Sequence, residues 1–232
     1  MNPLLFQVRD TLQKQSNPEV LKNGQRFFKE SIISYGVKIP VVREIAKTFS
    51  PDKFSKTEVW GLCEALWSSG NMEESIVACH WSFKFRKKYT EEDFEVFKKW
   101  VNLYVNNWAS CDTLCNNTIG TLLEMYPFLV KELLSWTSSP NRWMRRAAAV
   151  SLILPARKGL FFSTNLEIAE TLLLDQDDLV QKGYGWLLKV ASAKHPTEVF
   201  EFVMDKKDIM PRTALRYAIE KLPNDFKKQA MM

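Results

Sequence analysis

The apolar residues of this chain recur at helical spacing along nearly its whole length, and strand-like alternation is hard to find. Leu114, Thr118, Leu122 and Met125 share one stripe, and Val180, Tyr184, Leu187 and Val190 share another. Helix starts are marked by Asn17-Pro18, Ile39-Pro40, Asp93 after Thr90, Ser139-Pro140, His195-Pro196 and Met210-Pro211. With 8 glycines and 10 prolines, concentrated between the periodic segments, the chain reads as about twelve to fourteen helices joined by short loops. The starts also recur. Asn71, Asn107, Asn141 and Asp177 each open a helix, at gaps of 36, 34 and 36 residues, and another start follows near Asp208. Two helices fit between successive marks. A stacked array of helical hairpins in the HEAT range has that period, although the residues barely match from repeat to repeat.

A chain of 232 residues can bury a sizeable core. The expected fold is therefore all-α: one domain, residues 1–232, of HEAT-like hairpins stacked in a curved solenoid with a concave basic face. The net charge of +5 is too small for a basic-tail binder, so any affinity for nucleic acid depends on how charge is distributed. No N-terminal stretch combines a basic start, an apolar run and a small-residue cleavage site, and no stretch approaches a membrane span. Four cysteines without paired spacing suggest free thiols in a reducing cytoplasm. The expectation is a cytoplasmic, nucleoid-associated monomer with no membrane partner.

Charge is distributed unevenly. Between Glu132 and Glu167 there is no acidic residue, yet Arg142, Arg145, Arg146, Arg157 and Lys158 fall there. Unpaired cations beside the small residues Ala147, Ala148 and Ala149 would suit a surface that an anionic polymer approaches closely. The bland alternative is a solvated helix edge. A cation also recurs near the start of each second helix, at Arg146, Lys182 and Arg212, where it opposes the helix dipole and so calls for a reason. In-register hairpins would set these three in one column.

Three constellations could carry chemistry. In Asn107-Trp108-Ala109-Ser110-Cys111-Asp112, Trp108 and Asp112 are four residues apart and share a helix face beside the apolar stripe of Cys111, Cys115, Ile119 and Leu122. Alternatively, Asp112 is simply a stabilising first-turn carboxylate. The second constellation is Trp143 to Arg146. The third is Val180-Gln181-Lys182-Gly183-Tyr184-Gly185-Trp186, where two glycines inside a helix let a neighbouring backbone or a ligand come close. Trp186 could equally be core. Together these suggest a cleft with two tryptophans, one carboxylate and a rim of Arg146, Lys182, Lys189 and Arg212. Aromatics among cations suit nucleic acid. A carboxylate there repels phosphate, but it fits a reaction in which positive charge develops. No Cys-x-x-Cys pair supports a zinc set from Cys63, Cys79, His80, Cys111 and Cys115, so neither metal nor cofactor is expected. The two histidines, His80 and His195, lie outside all three constellations, which disfavours Ser-His or Cys-His catalysis.

These residues resemble the AlkD family of HEAT-repeat DNA glycosylases, which act on alkylated bases. The resemblance runs from Arg26-Phe27-Phe28-Lys29 through Gly36, Pro40 and Arg43 to the C-terminal array. It is most specific at Trp108-x-x-x-Asp112, Trp143-Met144-Arg145-Arg146-Ala147 and Gln181-Lys182-x-x-Gly185-Trp186. It implies that Asp112 is the catalytic carboxylate, that Trp108 and Trp186 flank the lesion-bearing nucleotide, and that Arg146 holds phosphate nearby. Phe27, Arg145, Lys182, Lys189 and Arg212 would complete the DNA surface. Phe27 stands where the family's best-known members place a tyrosine, and Ala109 and Ser110 depart from its more aromatic and acidic filling. The implied partner is double-stranded DNA containing alkylated bases, cradled on the concave surface. The implied reaction is hydrolysis of the N-glycosidic bond of cationic purines such as N3-methyladenine and N7-methylguanine. Two other uses of such a scaffold compete: a non-catalytic DNA-structure binder, and a protein-binding HEAT adaptor.

Overall fold

The computed structural model describes residues 2–232 of the chain. Among them every regular element is helical, apart from one isolated bridge between Ile33 and Asn71. The chain divides into two compact units, Met1–Leu114 and Cys115–Met232. The four recurring marks are all helix N-caps. Asn71 accepts from the amides of Glu73 and Glu74, Asn107 from Ser110, Asn141 from Trp143 and Asp177 from Leu179. Each cap satisfies backbone donors that the first turn leaves open, worth about 1 kcal/mol. The start expected near Asp208 falls at Arg212.

Stacking of the hairpins is visible in the side-chain ties between them. In the first unit Lys56 reaches Asp93 at 2.8 Å, Trp81 donates to the Ala46 carbonyl at 2.9 Å, and Asn106 donates to the Gly70 carbonyl at 2.9 Å; these partners are 37, 35 and 36 residues apart. In the second unit Lys158 reaches Glu124 at 2.6 Å, Arg142 reaches Asp177 at 3.2 Å and Lys189 reaches Glu220 at 2.9 Å, at separations of 34, 35 and 31 residues. The period read from the helix starts is thus the distance along the chain from one hairpin to the next.

The two cores are built differently. The first is aromatic: the Trp60 ring lies 5.6 Å from Phe97, 5.9 Å from Trp100 and 6.1 Å from Tyr89, all as edge or tilted contacts. Its indole N–H is satisfied by buried Asp93 at 2.7 Å. The second is built on close backbone approach. Helices Arg142–Val150, Asp178–Ala191 and Arg212–Ile219 lie side by side, with Ala147, Ala148 and Ala149 fully buried. All four cysteines are free and buried, and burial pushes the Cys63 thiol's pKa up. No helix among the described residues is long and apolar enough to cross a membrane.

Candidate functional site

Indoles are large, and most of those here are packed away. Trp67, Trp81, Trp100 and Trp136 are at most 1% exposed, and Trp60 and Trp143 are buried as well. Only two of the 8 tryptophans, Trp108 and Trp186, remain half-buried. A half-exposed indole keeps a broad apolar face available to a planar ligand.

In the first unit, Trp108 opens the helix Trp108–Thr113 and Asp112 lies one turn further on. Of the expected stripe, Cys111 in this unit and Cys115, Ile119 and Leu122 in the second are all fully buried. Asp112 flanks that stripe and is half-buried rather than turned fully to solvent. The helix then widens into a π-helical turn, Leu114–Ile119, a form that recurs at functional sites.

Trp108 is held by the segment 26–38. Its Nε1–H donates to the Phe27 carbonyl at 3.2 Å, and its ring stacks on Phe28 at 5.3 Å and 21°. The single indole donor is thereby spent, which fixes the ring plane. The segment is held in turn by Glu73, which is fully buried. The Glu73 carboxylate accepts from the Ser34 hydroxyl at 2.7 Å and from the amides of Tyr35, Gly36 and Val37 at 3.0–3.1 Å. Gly36 has φ +76°, and a Cβ there would fall 2.5 Å from the Asn17 carbonyl oxygen, so only glycine makes this turn. Next to it, Glu74 accepts from Arg9 at 2.9 Å and from the Tyr35 hydroxyl at 2.8 Å; burial and that bond raise the Tyr35 pKa. The Phe27 side chain itself is 75% exposed. Between this segment and Trp108 lies an apolar cavity of about 350 Å³, lined by Leu21, Phe28, Ile32, Val37, Met72 and Ala109 among others.

In the second unit, the expectation of unpaired cations is corrected. The acid-free stretch in sequence is not acid-free in space, because the next hairpin's loop brings Asp175 and Asp177 alongside. Arg145 pairs with Asp175 through Nε at 2.6 Å and Nη2 at 3.4 Å, and donates to the carbonyls of Ser139 and Pro140. Arg142 pairs with Asp177 and lies 4.6 Å over the ring of Trp143. Arg146 is not a rim residue. It is 5% exposed and donates to the Leu179 carbonyl. Lys182 is bridged to Asp178 at 3.0 Å, and Lys189 to Glu220. Arg212 is exposed and has no ion pair among the described residues. The helix bearing Arg146 packs on the one bearing Lys182, and that helix packs on the one bearing Arg212.

The two helical glycines serve neighbouring helices. A Cβ at Gly185 would lie 2.8 Å from Tyr217 Cβ and 2.9 Å from the Ala214 carbonyl oxygen; one at Gly183 would lie 3.5 Å from Arg146 Cγ. Trp186 follows Gly185 on the same helix.

The structure therefore groups Phe27, Trp108 and Asp112 within the first unit, and Arg145, Arg146, Lys182, Trp186, Lys189 and Arg212 within the second. Sequence reasoning missed Phe28 as the stacking partner and Glu73 as the clamp. The one available signal for Glu73 was a carboxylate pair, Glu73-Glu74, in the first turn after the Asn71 cap. No group of three or more His, Cys, Asp or Glu among the described residues is arranged to hold a metal ion.

The profile of the family described as DNA alkylation repair enzyme matches residues 8–222. A solved structure described as a predicted DNA alkylation repair enzyme from Enterococcus faecalis is similar, with a TM-score of 0.81 at 19% identity, covering 90% of this chain and 98% of that one. At that identity the likeness establishes the fold. Among curated proteins no match is found.

Proposed function

The chain belongs to the DNA alkylation repair enzyme family, and we propose that it is a monofunctional DNA glycosylase. Its substrates are alkylated, cationic purines such as N3-methyladenine and N7-methylguanine in duplex DNA, and it leaves an abasic site. The observation that supports this most directly is the fate of the tryptophans: the two left half-buried are the two that the resemblance assigns to the lesion, and one of them shares a helix face with Asp112.

Alkylation already makes the base a good leaving group, so no general acid is needed. The enzyme must stabilise an oxocarbenium-like sugar and place a water. Asp112 does both, as a preplaced anion and as a hydrogen-bond acceptor. The indole faces attract the positive base and sugar, worth about 0.5–2 kcal/mol. Arg146, anchored to the Leu179 carbonyl, is the residue the family resemblance assigns to a phosphate beside the lesion. Phe27 and Arg212 extend the DNA surface, which a monomer presents to the nucleoid.

The test is mass-spectrometric identification of bases released from methylated genomic DNA by the purified protein. Free N3-methyladenine or N7-methylguanine is expected. DNA binding without release would favour a structure-binding protein, and no DNA response at all would favour an adaptor.

A further inference from the structure

A second basic site lies in the first unit, away from Trp108. Helices Ile39–Thr48 and Met72–Lys84 pack together and are tied by the Trp81 indole on the Ala46 carbonyl. Arg43 and Lys47 stand four residues apart on the first helix, and His80 and Lys84 four apart on the second. Residues so spaced share a face. All four line one cavity of about 350 Å³, together with Ala46 and Trp81.

The acidic compensation is thin. Glu44 is the one carboxylate lining the cavity, and it reaches Lys47 only at 3.9 Å, with both side chains more than 70% exposed. Lys84 is engaged from outside by Asp52 at 2.7 Å and Ser50 at 2.6 Å. No charged side chain of the helices Lys56–Trp67 or Trp108–Thr113 lines the cavity. Arg43 has no ion pair among the described residues, and His80 Nε2 is screened from solvent without a hydrogen-bond partner among them. Burial first, and Arg43 second, hold the His80 pKa below the usual histidine range. Four basic side chains around one cavity, with a buried imidazole nitrogen left unsatisfied, suit an anionic ligand.

We infer that this cavity binds a backbone phosphate of duplex DNA, gripped by Arg43 and by His80 in its protonated form, with Lys47 and Lys84 at its edge. This rests on DNA being the partner, as proposed above. The helix Met72–Lys84 also packs against Trp108–Thr113, which carries Asp112. Phosphate binding favours protonated His80, so affinity rises as pH falls towards 6, and DNA in turn raises the His80 pKa.

The chain has 2 histidines, so their imidazole resonances can be followed one by one, with His195 as internal reference and His80→Gln for assignment. Saturating unmodified duplex should move the His80 titration midpoint up by about one unit and leave His195 in place. Arg43→Ala should abolish that movement and lower the slope of log affinity against log salt by about one. An unmoved His80 midpoint with bound duplex, or an unchanged slope in Arg43→Ala, overturns the site. A midpoint that moves with inorganic phosphate, in a protein that fails to bind duplex, overturns the DNA reading and not the anion cavity.

Discussion

The two units treat charge in opposite ways. In the second, nearly every cation that looked available in sequence is committed: Arg142 and Arg145 to Asp177 and Asp175, Lys182 to Asp178, Lys189 to Glu220. In the first, buried carboxylates organise the interior while Arg43 stands over a cavity with no ion pair among the described residues. In a stack of hairpins, a residue's neighbour in space is about one repeat away along the chain. Local charge counts therefore say little about which cations are free. The basic stretch that drew attention in sequence is largely repeat-to-repeat stapling.

The first unit's reliance on buried carboxylates is greatest at Glu73. Glu73→Ala strips four donors of a fully buried partner, and should lower unfolding free energy by about 3–5 kcal/mol. Urea unfolding measures this, and a loss under 1 kcal/mol would mean that the segment 26–38 does not depend on its carboxylate clamp. Arg145→Met comes next. It leaves Asp175, only 8% exposed, without its main partner, and should cost about 2–3 kcal/mol with duplex affinity changed less than about twofold. A tenfold affinity loss with stability intact would instead make Arg145 a phosphate contact.

The glycines sharpen the contrast within one helix. Gly185→Ala places a Cβ against the Ala214 backbone and should cost about 1–3 kcal/mol in thermal or urea unfolding. Gly183→Ala meets only ordinary contact distances and should be neutral or stabilising by up to about 1 kcal/mol. The smallest effect is His80's. Its folded pKa lies below the unfolded value, so the unfolded chain takes up the proton first and stability declines as pH falls below about 6.5. His80→Gln should flatten that stretch of the stability–pH curve.

Much of the fold was legible because it is periodic. Caps at Asn71, Asn107, Asn141 and Asp177 are local chemistry, and helical apolar spacing reports the buried face directly. Stripes faded only at their ends, where Met125 is 42% exposed. The candidate residues Trp108, Asp112 and Trp186 stand in helical context, as expected, and are neither sunk in the core nor turned fully outward. What could not be read was pairing across repeats. Nothing local to Arg145 announces Asp175, nothing local to Gly36 announces Glu73, and the faces of Arg43 and His80 meet only when two helices pack.

Asp112, as proposed, stabilises a transition state on DNA rather than the folded chain. The direct measurement is single-turnover release of N7-methylguanine from a methylated duplex by Asp112→Asn beside the unaltered protein, with duplex affinity measured in parallel. Release should slow by at least about 100-fold, with affinity unchanged or slightly higher. Release within a few-fold of the unaltered protein would contradict it.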